Sequence, residues 1–240
     1  MTSSFEILGH KFHNASYWCR RCIAALWDPY SPAVIPIDFP PTPNRIDFLN
    51  SSLARFENGS YLEIGCRDDE CFSRIVSHRK VGVDPRSGGT VRARSDEFFA
   101  RNDERFDVVF IDGLHRYQQV LRDVRNSLDI LTPEGVVVLH DCLPLTWAAQ
   151  CPYPCQVCWN GDVWRALVEI RTWPDVDSAT CLVDHGLGIV VPRANTSRLA
   201  FAPPSFAKVP FAVLAADHQR LLRTMDYEAG LRFAIGATRS

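Results

Sequence analysis

The sequence predicts a doubly wound α/β fold with a mostly parallel sheet, preceded by an N-terminal arm. Three mainly apolar runs, at residues 61–64, 106–111 and 136–139, the last fully apolar, are separated by segments with helical spacing. Short apolar runs bounded by turn residues read as strands buried on both faces, and crossover helices are what covers such a sheet. A glycine, Gly65, follows the first run, and ionisable residues, Asp112 and then His140 and Asp141, follow the other two. That is where an open parallel sheet presents its ligand site.

The elements follow in order. Residues 1–44 mix aromatic side chains with prolines at 32, 36, 40, 41 and 43, which forbid helix continuation and favour extended chain. They are expected to form an arm or lid, with the main domain spanning 45–240. Ile46, Phe48, Leu49, Leu53 and Phe56 suit an amphipathic helix that stops near Asn58-Gly59. Residues 61–64 read as a strand, 71–78 as a helix, 80–83 as a second strand and 96–101 as a helical turn. Residues 106–111 form the strongest strand signal. Val120, Leu121, Val124, Leu128 and Leu131 then give a helix over 117–131 that ends before Pro133-Glu134-Gly135. A strand at 136–139, a helix at 161–173, a hairpin at 181–183 and 187–191, and a helix at 211–225 complete the reading.

The chain has 240 residues, a formal net charge of −2 and a pI near 6.4. It therefore sets up no broad field for a polyanion, so nucleic acid is a disfavoured partner and a small, neutral one fits better. No apolar run approaches the roughly 18 residues of a membrane span, and the N-terminus lacks a signal-peptide core. No membrane partner is expected, and the expected compartment is the cytoplasm.

Two constellations carry chemistry. In the first, Tyr61-Leu-Glu-Ile-Gly65 is followed by Val81-Gly-Val-Asp84, a strand, a glycine turn and an acid after the next strand. Gly65 lets backbone approach a ligand, and Asp84 can accept both hydroxyls of a ribose. The plainer reading makes Gly65 an ordinary turn and Asp84 a cap before Pro85. In the second, Phe106-Asp-Val-Val-Phe-Ile-Asp-Gly-Leu-His-Arg-Tyr117 is paired with Gly135-Val-Val-Val-Leu-His-Asp-Cys-Leu-Pro144. Both strands deliver ionisable groups at their carboxyl ends, where a core tolerates them only if paired or ligated.

The first pattern resembles motifs I and II of class I S-adenosylmethionine-dependent methyltransferases. The second resembles the Asp-Gly-x-His segment and His-Asp strand end of a group related to macrocin O-methyltransferase and to methyltransferases of polysaccharide and natural-product clusters. Ser95-Asp-Glu-Phe-Phe99, Trp159-Asn-Gly-Asp-Val-Trp164 and Asp184-His-Gly-Leu-Gly-Ile189 extend the resemblance over about Arg45 to Val191. It implies a seven-stranded Rossmann-like methyltransferase fold with S-adenosylmethionine as cofactor. Glu63 would order the loop around the methionine part, Gly65 and Asp84 would hold the nucleoside, and Ser95 and Asp96 would stand beside adenine, with a helix N-cap as their other reading. Asp112 would border both cofactor and catalytic site. His115 would be the general base, and Asp112, His140 and Asp141 would hold a divalent cation, Mg²⁺ or Mn²⁺. Two departures stand out. Asp69 occupies a position where the family carries glycine, and His140 replaces an oxygen ligand, which favours Mn²⁺, Fe²⁺ or Zn²⁺ or abolishes binding.

The expected activity is O-methylation of a hydroxyl on a small acceptor, a sugar or natural product. A non-methylating hydroxylase-like protein and a binding-only domain are the alternatives, and a homo-oligomer whose arm covers a neighbouring site stays open. Nine cysteines do not suit a disulfide framework. Cys151, Cys155 and Cys158 match the C-x3-C-x2-C spacing of radical S-adenosylmethionine enzymes. Cys19 and Cys22 with Cys155 and Cys158 would suit a zinc site. Free thiols in a substrate loop are the third reading.

Overall fold

The computed structural model describes residues 17–26 and 28–236. Residues 1–16 of the expected arm lie outside the described residues. Helix α1 (residues 17–24) precedes an extended stretch, then α2 (Arg45–Leu53), β1 (Ser60–Ile64), β2 (Arg79–Val83), α3 (Ser95–Phe99), β3 (Phe106–Ile111), α4 (Tyr117–Asp129) and β4 (Leu131–Leu139). After these come α5 (Val163–Ile170), β5 (Asp177–Cys181), β6 (Leu187–Val191), α6 (Phe211–Leu222), β7 (Thr224–Met225) and α7 (Tyr227–Ile235). The strands form one seven-stranded sheet in the order β2-β1-β3-β4-β6-β5-β7. The sheet is mostly parallel, and only β6 runs antiparallel to its neighbours β4 and β5. This is a doubly wound, Rossmann-like arrangement.

Alternation explains why the runs at 61–64, 106–111 and 136–139 are apolar in both phases apart from Glu63 and Asp107. Leu62, Ile64, Val109, Ile111, Val137 and Leu139 pack on one face with α4, α5 and α6. Tyr61, Val108, Phe110, Val136 and Val138 pack on the other with α2 and α7. With both faces covered, neither phase of the period-two pattern is a polar one. β1 pairs with β2 on one side and β3 on the other, so the chain reverses direction across the sheet between them. A crevice at the carboxyl ends of β1 and β3 follows from that reversal.

Three expected helices differ. Residues 71–78 hold only a 3₁₀ turn, Phe72–Arg74. Asn50 accepts from the Val76 N–H and donates to the Arg74 carbonyl, and Lys80 Nζ donates to the carbonyls of Phe72 and Ile75. Side chains thus satisfy the backbone there, leaving a helix no advantage. The helix expected over 161–173 is Val163–Ile170, with Trp164 fully buried. The helix expected to reach 225 ends at Leu222, because Arg223 takes a left-handed conformation (φ 50°) and the chain continues into β7. No helix among the described residues is long and apolar enough to cross a membrane.

The extended stretch is pinned at two points. The Ile35 N–H bonds the Leu145 carbonyl, and the buried Asp28 carboxylate accepts from Arg165, Gln150 and the Phe211 N–H. Arg165 is itself only 4% exposed, so the pair is desolvated on both sides. Removing one partner of such a pair leaves the other charge buried and bare. Arg165→Met is expected to lower unfolding free energy by about 3–5 kcal/mol, read from urea denaturation, with Asp28→Asn/Arg165→Met recovering part of the loss.

Candidate active site

β1 ends at Gly65, whose φ is +94°. A Cβ there would stand 2.4 Å from the Asp112 carbonyl oxygen and 2.5 Å from Gly113 Cα, so only glycine permits this approach. The contact closes one end of a cavity of about 720 Å³ bounded by Gly65, Asp84, Ser95, Asp96 and Asp112. Five residues singled out in the sequence are thereby brought to one crevice. Glu63 is not among them. It lies on the α2 side of the sheet, where Tyr61 Oη donates to its carboxylate at 2.5 Å. Burial raises its pKa to about 7, with the nearby Asp112 charge adding to the rise against the bond from Tyr61.

Asp84 holds the loops around the cavity together. Its Oδ1 accepts from the N–H groups of Arg86 (2.7 Å) and Ser87 (3.0 Å), and its Oδ2 from that of Arg67 (3.0 Å). Burial would raise its pKa, but these bonds and Arg92 outweigh it and hold the carboxyl below its ordinary value. Oδ1 is thus filled, and Oδ2 keeps room for one further donor. Asp69 adopts φ +63°, the conformation a glycine would take, and accepts from the Gly89 N–H at 2.6 Å. Aspartate is among the few side chains that tolerate this region, so the departure from glycine preserves the turn and adds a tie to the next loop.

Beyond Asp112 the rim becomes a cluster of acids and imidazoles. Asp112 Oδ1 lies 3.0 Å from His115 Nε2 and 3.2 Å from His140 Nδ1. Asp141 Oδ2 lies 3.2 Å from His115 Nδ1 and 3.4 Å from His140 Nδ1. His140 Nε2 faces Asp184 Oδ1 at 3.5 Å, and Arg45 donates to the other Asp184 oxygen at 2.8 Å. Burial works against charge on every member. The mutual attraction nonetheless wins, holding Asp112 and Asp184 low and both histidines high. Arg45 and Asp184 were not singled out for the site from sequence. They meet across 139 positions, and no local pattern announces the pairing.

Asp112, His115 and Asp141 each offer one ligand atom, all within 4.8 Å of one another, the only such group of three or more among the described residues. His115 Nδ1 is buried and makes no hydrogen bond, yet it faces a carboxylate oxygen. A lone pair set against a carboxylate is relieved by a proton or a cation. Two carboxylates and an imidazole at this spacing have the donor atoms to hold one divalent ion. His140, expected among the ligands, is not in this group; its Nδ1 is shared between two carboxylates instead.

The segment 159–162 clamps the cluster. Trp159 stacks on His115 (ring centroids 5.3 Å apart, planes at 24°), and Asn160 donates to Asp141 Oδ1 at 2.7 Å. Gly161 (φ +67°) lies against the His115 backbone, and Asp162 accepts from the Tyr117 N–H at the start of α4. Among the described residues no cysteine group is arranged to hold a metal. Cys151 and Cys155 are buried, whereas Cys19, Cys22 and Cys158 are exposed.

Because the Glu63 pKa is raised above the ordinary 4.5 to about 7, the folded state holds its proton more tightly than the unfolded chain. Stability is then lost as pH rises through the window from about 4.5 to 7, by at most about 3 kcal/mol. Glu63→Gln is expected to flatten that part of the profile, measured by urea denaturation at successive pH values.

Residues 48–142 match the family model described as "Methyltransferase domain". No curated protein matches the chain. Solved structures with a similar arrangement include the O-methyltransferase from Bacillus cereus in complex with SAH (15% identity, 75% of this chain and 91% of that chain, TM-score 0.46). Another is the O-methyltransferase TomG from Streptomyces achromogenes, involved in tomaymycin synthesis, in complex with SAM (18% identity, 61% and 79%, TM-score 0.42). A third is cofactor-bound Rv0187 from MTB (13% identity, 76% and 90%, TM-score 0.48).

Proposed function

We propose that the chain, whose residues 48–142 match a methyltransferase-domain model, moves a methyl group from S-adenosylmethionine to a hydroxyl of a small acceptor, a sugar or natural product. One observation carries this reading. The cavity at the carboxyl ends of β1 and β3 runs from Asp84 to Asp112, and Asp112 is bonded to His115. Acceptors suited to a nucleoside thus line the cavity, and the candidate base stands behind its Asp112 wall, bonded to it. The donor set fits the cofactor: Asp84 Oδ2 has capacity for one ribose hydroxyl, and Ser95 and Asp96 border the far end. The bound cofactor supplies an electrophilic methyl group on a sulfonium.

The chain supplies position and a place for the proton. Asp112 holds His115 by Nε2, and Nδ1, which faces Asp141 at 3.2 Å, is the atom that would take the acceptor's proton. Trp159 and Gly161 fix the imidazole plane, and Asn160 fixes Asp141 beside it. A second cavity of about 440 Å³, lined by Ile37, Phe39, Arg45 and His185, lies on the other side of Asp184 and is assigned to the acceptor. A divalent ion held by Asp112, His115 and Asp141 would lower the acceptor's pKa. It would use the same Nδ1 lone pair, so base and ligand are exclusive roles for His115.

Calorimetry is expected to show S-adenosylmethionine binding, weakened about tenfold or more in Asp84→Ala by loss of charge-assisted bonds. Absence of binding at millimolar cofactor would remove the proposal. His115→Gln should leave that affinity within about twofold while cutting formation of the methylated product, followed by mass spectrometry over a panel of sugars and phenols, by about 10²–10⁴. Turnover lost in chelator and restored by Mn²⁺ assigns His115 to the cation; turnover unchanged in chelator assigns it to the proton.

A further inference from the structure

We propose that helix α1 and the groove beside it form a contact surface for a second copy of this chain. α1 is amphipathic the wrong way round. Its two charged residues face the body of the protein: Arg20 Nη1 donates to the Pro154 carbonyl and Arg21 Nε to the Cys155 carbonyl, both at 3.1 Å. At about 100° per residue, Trp18, Cys19, Cys22 and Ile23 fall within an arc of about 140° on the other side, and Leu26, in the turn that closes the helix, continues it. All five are exposed, Trp18 at 67%, Ile23 at 50% and Leu26 at 84%, whereas Ala24, on the side of the arginines, is 1% exposed. A helix ordinarily turns its apolar stripe to a core and its charges to water.

Trp18 also borders a groove of about 420 Å³, walled by Ala25, Tyr30, Val34 and Trp147. Of the ten large apolar residues left exposed among the described residues, seven belong to 18–34 or to the loop 153–157 that supplies the two carbonyls, so the exposure is concentrated in one patch. Together these side chains leave open an area on the order of 800 Å². The largest apolar patch of a typical monomer is roughly 300–600 Å², and each partner in a stable pair covers about 800 Å².

The occupant this chemistry favours is the same patch of another copy. The stripe carries no charged side chain, so it does not repel its own image, and ridge and groove lie side by side. A two-fold axis between them lets the ridge of each protomer enter the groove of the other, which closes the pair and leaves no open end. A lipid surface would call for free cationic side chains around the stripe. The arginines of α1 are turned to carbonyls instead, and the formal net charge of the chain is −2.

The test is sedimentation velocity of the full-length protein in reducing buffer over a range of micromolar concentrations, where wild type is expected to form a reversible dimer. Cys19 and Cys22 stand on the stripe and report its burial. Their alkylation by a maleimide, followed by peptide mass spectrometry, should slow by about tenfold or more as dimers form. Leu26→Glu and Ile23→Glu each set like charges against one another across the contact and should raise the dimer Kd by about a hundredfold or more. Both side chains are exposed, so the near-ultraviolet circular dichroism of the variants should match wild type. A monomeric wild type overturns the proposal, and if that monomer cosediments with phosphatidylglycerol vesicles the patch belongs to a lipid surface instead. A dimer whose Cys19 and Cys22 alkylate at one rate at every concentration, or whose Kd is indifferent to both glutamates, overturns it equally.

Discussion

The contact between Gly65 and the backbone of Asp112 and Gly113 is the constraint on which the rest of the site depends. Neighbouring parallel strands stand about 4.8 Å apart, and side chains at their ends ordinarily keep the following loops separate. With no Cβ at Gly65, the loop after β1 settles onto the loop after β3. The Asp84 end of the crevice and the acid-imidazole cluster then become two sides of one peptide segment. Asp112 belongs to both, bordering the cavity and holding His115 and His140.

Much of this arrangement was legible in the sequence because it depends on local pattern. Residues 108–111 are apolar in both phases and suit a strand buried on both faces; the strand observed is Phe106–Ile111. The positions of Asp84, Asp112 and His115 follow once such strands are placed, since a parallel sheet has one carboxyl rim. The segment 71–78 was misread because Cys71, Phe72 and Ile75 are buried at helix-like spacing, whereas Asn50 and Lys80 decide the backbone from outside it. Arg45 and Asp184 escaped for a related reason. Their pairing depends on the last strands returning beside β4, a tertiary fact without a periodic signature.

His140 shows how one residue changes a site's chemistry. A carboxylate there would add a fourth negative charge to Asp112, Asp141 and Asp184. The imidazole instead faces all three, at 3.2, 3.4 and 3.5 Å. The acids are drawn together by a side chain of the protein itself, and the segment 159–162 closes over the result through Trp159 and Asn160.

The Asp28–Arg165 pair has a consequence for where this fold begins. Arg165 sits on α5, inside the layer that covers the sheet, and its nearer counter-charge, Asp28 at 2.9 Å, comes from a residue upstream of β1 and α2. A shortened chain starting at Arg45 would keep every strand and still bring into its interior a guanidinium with Asp162, 3.7 Å away, as its remaining counter-charge. The segment around Asp28 is therefore part of the folding unit, as an internal counter-ion supplied from a distance, and cannot be treated as a detachable leader.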